Sequence, residues 1–121
     1  MAFNWEDYLT LAKGVSPSDS EAVKRSAASR AYYAAAHMSR LYAQRKFGWT
    51  FSKESFHANL SAKFRLQYGN VDHQEISSKL TRLRKIRVEC DYDDSVSEID
   101  KKLKTAKLEA ENIKQLLANN P

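Results

Sequence analysis

The stretch from residue 20 to residue 47 contains neither glycine nor proline and is rich in alanine, which predicts one long helix. At about 100° per residue, one stripe of this helix is largely apolar, so we expect it to face the core. Its members are Val23, Ala27, Arg30, Ala34, His37 and Leu41. A charged or polar side chain that faces a core must be paired or hydrogen-bonded. The stripe therefore predicts a site at Arg30 and His37, which interrupt it.

Helical patterns also occupy the rest of the chain. The predicted helices run from a cap at Asn4 to Gly14, from a capping box at Ser18 and Glu21 to Gly48, over 53–68, from a capping box at Asp72 and Glu75 to Tyr92, and from Ser95 or Ser97 to Ala118. No stretch shows sustained strand alternation. We expect one all-α domain over residues 1–121, an up-and-down bundle of four main helices with a short N-terminal helix.

Composition narrows the possible classes of function. The chain has 121 residues, a formal net charge of +5 and one cysteine, Cys90. The single cysteine excludes an internal disulfide and disfavours a cysteine-based zinc site, and His57 and His73 lack metal-ligand spacing. We expect no metal and no cofactor. No apolar run has the length of a membrane span, and the first residues do not resemble a signal peptide, so we expect a cytoplasmic protein. The basic balance favours an anionic partner, above all nucleic acid.

A second charged cluster lies on the fourth helix. Its inner stripe is Ile76, Leu80, Leu83, Arg87 and then Cys90 or Asp91. Arg87 and Asp91 are four residues apart, so they can pair along one face. The same helix carries a basic run of Lys79, Arg82, Arg84, Lys85 and Arg87. We expect Lys79, Arg82 and Lys85 to point to solvent, either as a hydrated face or as an RNA contact.

Two interpretations of Arg30 and His37 stay open at this stage. The residues are seven apart, about 10 Å along a helix axis, which a long arginine side chain can narrow to the size of a phosphate. Arginine would then neutralise a phosphodiester while histidine moves a proton. Alternatively, Arg30 meets Asp91 across the core and His37 hydrogen-bonds a tyrosine. Tyr32 and Tyr33 are expected to pack with their phenol groups at the rim.

The run Ser-Arg-Ala-Tyr-Tyr-Ala at 29–34 with His37, followed by Arg-Val-Glu-Cys-Asp-Tyr-Asp at 87–93, resembles the HEPN domain family. The resemblance covers nearly the whole chain and is nearest to small stand-alone prokaryotic members. It implies a HEPN-like helical bundle, a homodimer and, in many members, a nucleotidyltransferase partner encoded nearby. It also implies metal-independent endoribonuclease activity on RNA in a toxin–antitoxin or antiphage-defence setting.

The resemblance further implies roles for individual residues. Nuclease members carry an arginine, four to six residues and then a histidine, a pattern that Arg30 and His37 meet. His37 would deprotonate a ribose 2′-hydroxyl, and Arg30 and Arg87 would stabilise the phosphorane, leaving 2′,3′-cyclic phosphate ends. Tyr33, Asp91 and Tyr92 would bind or shape the site.

Two further hypotheses belong to other classes of function. The first is a non-catalytic HEPN module that binds RNA, a nucleotide or a nucleotidyltransferase partner. In that case Arg30, Asp91 and Tyr92 form a network that holds the bundle together. The second is a purely structural dimer within a larger defence complex.

Overall fold

A computed structural model describes residues 2–121, and within them every regular element is a helix. The five helices are α1 (Glu6–Lys13), α2 (Glu21–Phe47), α3 (Phe56–Arg65), α4 (Val71–Tyr92) and α5 (Ile99–Ala118). The predicted all-α class is therefore confirmed for this range. None of these helices combines the length and the apolar character that crossing a membrane requires.

The long helix α2 is the centre of the domain, and it packs against α1, α4 and α5. Alanines dominate its buried surface: Ala27, Ala28, Ala31, Ala34, Ala35, Ala36 and Ala43 are buried. Side chains this small let three neighbouring helices approach closely from different sides. The short helix α3 packs mainly on α4 and makes fewer contacts with α2.

The caps explain where the helices begin and end. The hydroxyl of Ser20, not that of Ser18, accepts the backbone N–H of Val23 and caps α2. In the same way Asn70, not Asp72, caps α4 through the N–H of His73. The predicted capping boxes are wrong because the side chain that caps must directly precede the first helical residue.

Gly48 ends α2 as predicted. Its φ of 71° is left-handed, a conformation that glycine adopts without a steric penalty.

The predicted core stripe of α2 is confirmed at its two alanines and wrong at its other four residues. Ala27 and Ala34 are buried, but Val23 and Leu41 are 42% and 45% exposed, Arg30 is exposed and His37 is half-buried. The stripe lies along the edge of the buried surface because α2 has neighbours on several sides, and its alanines with Tyr32 and Tyr42 fill most of the contacts.

The predicted inner stripe of α4 is confirmed, and α3 and α5 also bury one apolar side. Phe56, Leu60 and Phe64 are buried on α3, and Leu103, Ala106, Ala110 and Ile113 are buried on α5. On α4 the buried residues are Ile76, Leu80, Leu83, Arg87 and Cys90.

The predicted solvent-facing basic side of α4 is wrong at Lys79. This side chain is buried and pairs with Glu109 at 3.4 Å and with Glu75 at 3.6 Å. Arg82 also pairs with Glu109, at 3.0 Å. These acidic partners neutralise the first half of the basic run, so it presents less positive charge than the sequence suggests.

Candidate nucleic-acid interface

One face of α2 carries Arg30, Tyr33, His37 and Arg40, at successive spacings of three, four and three residues. Residues at these spacings lie on one side of a helix. Trp5 from the start of α1 and Phe56 from the start of α3 cover His37 from two directions. We call these six residues the basic face.

Aromatic stacking holds His37 in place on the basic face. Its ring lies 3.8 Å from that of Trp5, with an angle of 18° between the planes. Phe56 stacks on it at 5.0 Å and Tyr33 at 6.3 Å. Among the described residues the hydrogen bond of His37 is made with Arg40 and not with a tyrosine, so the alternative predicted for it is wrong.

The protonation state of His37 follows from its surroundings. Burial lowers its pKa to about 4, and the positive charge of Arg40 acts in the same direction. The Nε–H of Arg40 donates to Nδ1 of His37 at 3.1 Å. The imidazole is therefore neutral near pH 7 and carries its proton on Nε2, because Nδ1 is occupied as an acceptor.

Arg30 lies at the other end of the basic face. Its guanidinium group is 4.8 Å from the centre of the Tyr8 ring and is exposed to solvent. Arg30 does not pair with Asp91, so the predicted contact across the core is wrong. Asp91 instead accepts the hydroxyl of Ser29, the residue before Arg30, at 3.2 Å.

Arg87 approaches the basic face from α4. Its guanidinium group lies 5.4 Å from the ring centres of both Tyr32 and Tyr33, and the residue is only 6% exposed. The predicted pairing with Asp91 is confirmed, with Nη1 3.5 Å from Oδ2. The structure therefore brings Arg87, Tyr33 and Asp91 together with α2. Tyr92 is 73% exposed and does not join this cluster.

A second polar pair lies beside Tyr33. The hydroxyl of Tyr32 is 2.5 Å from Nδ1 of His57, and His57 also packs on Tyr33. Burial raises the pKa of Tyr32 to about 12, whereas burial and the charges of Arg87 and Arg84 lower the pKa of His57. Both groups are therefore neutral near pH 7, and the phenol keeps a proton to donate.

The tautomer of His57 follows from the same hydrogen bond. Among the described residues the Tyr32 hydroxyl makes no other hydrogen bond, so we assign it as the donor to Nδ1. The proton of His57 itself then lies on Nε2.

Several arginines in and near this region have no acidic partner among the residues that the structure describes. Within residues 2–121, Arg30, Arg40, Arg65 and Arg84 have no carboxylate oxygen within 4.0 Å. Arginines without acidic partners and stacked aromatic rings are the two features with which proteins bind single-stranded nucleic acid. The same range holds no cluster of three His, Cys, Asp or Glu side chains that could ligate a metal ion.

Sequence reasoning missed several members of this region. Trp5 and Arg40 contact His37, but the first is distant in the sequence and the second lies off the predicted core stripe. For His57 the sequence predicts only that it is not a metal ligand, and its partner Tyr32 is 25 residues away. One signal was present: Arg84 belongs to the basic run on α4, one turn before Arg87.

No family model, curated protein or solved structure matches this chain.

Proposed function

We propose that this chain is a HEPN-type protein that binds single-stranded RNA through the basic face. The observation that carries the proposal is the combination of unpaired arginines with stacked rings on one side of α2. Arg30 and Arg40 supply positive charge, while Trp5 and Tyr33 offer aromatic surfaces beside it. The motifs at 29–34 and 87–92 support the family assignment, and the net charge of +5 supports an anionic ligand.

Binding is favoured over cleavage by the state of His37. A general base must offer a free nitrogen lone pair, but Nδ1 accepts the Arg40 proton and Nε2 carries its own. With a pKa of about 4, the imidazole is also a weak base. Arg40 would have to release Nδ1 before His37 could deprotonate a ribose hydroxyl.

The test is fluorescence anisotropy with a labelled single-stranded RNA at two salt concentrations. We expect Arg30→Gln and Arg40→Gln each to weaken binding about fivefold and to reduce the salt dependence, because each removes one phosphate contact. Arg45→Gln is the matched control, since Arg45 lies on α2 near Tyr42, away from the basic face. Equal binding by all four proteins would refute the proposal.

Metal-independent endoribonuclease activity is the second candidate function. The specific observation in its favour is that His37 and Arg87 both contact Tyr33, with Arg30 one turn before Tyr33 on the same face. Cleavage of RNA in EDTA with 2′,3′-cyclic phosphate ends, lost in His37→Ala and reduced in Arg30→Ala and Arg87→Ala, would support it. Cleavage that persists in all three variants would come from a contaminant or another site and would refute it.

From the resemblance to the HEPN family we also propose a homodimer and a nucleotidyltransferase partner in a toxin or antiphage-defence setting. Val88 and Tyr92, one turn apart on α4, are 39% and 73% exposed, and a second protein could cover them. Light scattering after size-exclusion chromatography measures the mass directly. A dimer that becomes a monomer in Tyr92→Arg would support this part of the proposal, and a monomeric native protein would refute the homodimer.

A further inference from the structure

A cavity of about 240 Å³ lies between α2, α3 and α4, next to the basic face. Its polar lining residues are Tyr32, His57, Ser61, Arg65, Thr81 and Arg84. Pockets that take drug-sized ligands measure about 300–1,000 Å³, so this cavity suits a smaller group.

The charge of the lining selects for an anion. Arg65 and Arg84 both line the cavity, and neither has a carboxylate within 4.0 Å among residues 2–121. No aspartate or glutamate lines it. Two arginines that line one cavity without acidic partners favour an anionic ligand, and the planar donors of a guanidinium group match the oxygens of a phosphate.

A network of hydroxyl groups joins the two helices that carry these arginines. Ser61 on α3 lies 2.9 Å from the hydroxyl of Thr81 on α4, and Ser77 donates to the backbone carbonyl of Ser61 at 2.8 Å. Arg65 follows Ser61 by one turn of α3, and Arg84 follows Thr81 by one turn of α4. The network therefore fixes the helices that carry the two cations.

His57 also lines this cavity, and its imidazole is neutral near pH 7. With the hydroxyl of Tyr32 assigned as the donor to its Nδ1, 2.5 Å away, the proton of the imidazole is assigned to Nε2. A neutral N–H beside two guanidinium groups can donate to an oxyanion without adding a third positive charge to the cavity.

We propose that this cavity binds a phosphate monoester, held by Arg65 and Arg84 and by the Nε2–H of His57. A monoester carries close to two negative charges near neutral pH, which two guanidinium groups neutralise. Two sources can supply this group: a free mononucleotide, or the terminal phosphate of an RNA strand. The second source rests on the proposed RNA binding. An RNA strand on the basic face could place its terminal phosphate in the cavity, because Tyr33 of the basic face packs on His57, which lines the cavity.

Isothermal titration calorimetry tests the cavity independently of RNA binding. The two ligands are adenosine 5′-monophosphate and adenosine, which lacks the phosphate. We expect the monophosphate to bind and adenosine not to bind. Arg84→Gln and Arg65→Gln should each raise the dissociation constant of the monophosphate about tenfold, because each variant loses a charge-assisted contact. Lys104→Gln on α5 removes the same charge outside this cavity and should bind as the native protein does.

The two sources are separated by RNA strands that differ only in a 5′-phosphate or a 5′-hydroxyl end. Tighter binding of the phosphorylated strand, abolished by Arg84→Gln, identifies the strand end as the ligand. Equal binding of both strands, with mononucleotide binding intact, identifies the free monoester. Absence of monophosphate binding, or equal loss in Arg84→Gln and Lys104→Gln, overturns the cavity proposal. RNA binding that still depends on Arg30 and Arg40 would leave the proposed function standing.

Discussion

Arg40 donates its Nε–H to Nδ1 of His37, one turn earlier on α2, at a distance of 3.1 Å. The contact joins a permanent cation to a group that could itself become a cation. It therefore stabilises only the neutral imidazole, because a protonated Nδ1 could not accept the hydrogen bond. Trp5 and Phe56 stack on the imidazole ring of His37 and bury it, which also favours the neutral form.

Removing Arg40 should raise the pKa of His37. In Arg40→Leu the hydrogen bond and the neighbouring charge are lost, so we expect the pKa to rise from about 4 toward the ordinary 6.5 without reaching it. The rise stays incomplete because burial, the larger cause, remains. Proton NMR of the imidazole over a pH series measures the value, with His37→Gln identifying the resonance.

Arg45→Leu is the control for this titration. It removes the same charge from the same helix, but Arg45 lies 5.7 Å from the Tyr42 ring and does not contact His37. An equal shift in both variants would show that the helix charge as a whole, and not the hydrogen bond from Arg40, sets the protonation of His37.

The lowered histidine pKa makes the stability of the fold depend on pH. The unfolded chain takes up a proton at His37 near pH 6.5, whereas the folded chain does so only near pH 4. Between these values the unfolded state binds more protons, so the free energy of unfolding falls as the pH falls. This contribution is complete above about pH 6.5.

Urea unfolding between pH 4 and pH 7 measures how the free energy of unfolding changes with pH. This range spans the two pKa values of His37, about 4 in the folded chain and 6.5 in the unfolded chain. We expect His37→Gln to have a shallower slope, by about 1 kcal/mol per pH unit or less, since solvent screens the half-buried imidazole. The carboxylates that titrate at low pH are common to both proteins. Parallel curves would contradict the assigned pKa.

Replacing Gly48 with alanine should destabilise the fold because of its backbone conformation alone. No atom lies within 4 Å of the place where its Cβ would stand, but its φ is 71°. We expect Gly48→Ala to lower the free energy of unfolding by about 1–2 kcal/mol. The control is Gly14→Ala, because Gly14 ends α1 with a φ of −77° and a Cβ there meets only ordinary contacts. Equal losses in both variants would contradict this explanation.

The elements that sequence analysis predicted well have strong contrast between large apolar and charged residues. On α4, Ile76, Leu80 and Leu83 define the buried side clearly enough to place Arg87 on it. The spacing of Arg87 and Asp91 also gave their contact correctly, since residues four apart on a helix are neighbours.

The inner side of α2 could not be predicted in the same way. Alanine is common on most of this helix, so hydrophobic periodicity gives little contrast between its sides. The apolar stripe through Val23 and Leu41 was therefore misleading, and Arg30 lies on the surface instead of in the core. Contacts between distant residues, such as Tyr32 with His57, depend on how helices pack, which no spacing within one helix reveals.

Asp91 should matter more to stability than its position at the end of α4 suggests. Arg87 is 6% exposed, and within residues 2–121 Asp91 is its one carboxylate partner. Asp91→Ala leaves a buried cation with the Tyr32 and Tyr33 rings alone, so we expect a loss of about 1–3 kcal/mol in the free energy of unfolding. Urea unfolding at neutral pH measures this loss.

The matched variant is Arg87→Met together with Asp91→Ala, which removes the cation as well as its partner. A methionine keeps an aliphatic chain against the Tyr32 and Tyr33 rings without burying a charge, so this double variant should be more stable than Asp91→Ala alone. That ordering separates the penalty of an unpaired buried charge from the mere loss of a contact. If the double variant is the less stable of the two, Arg87 stabilises the bundle through its contacts with Tyr32 and Tyr33 even when its carboxylate partner is absent.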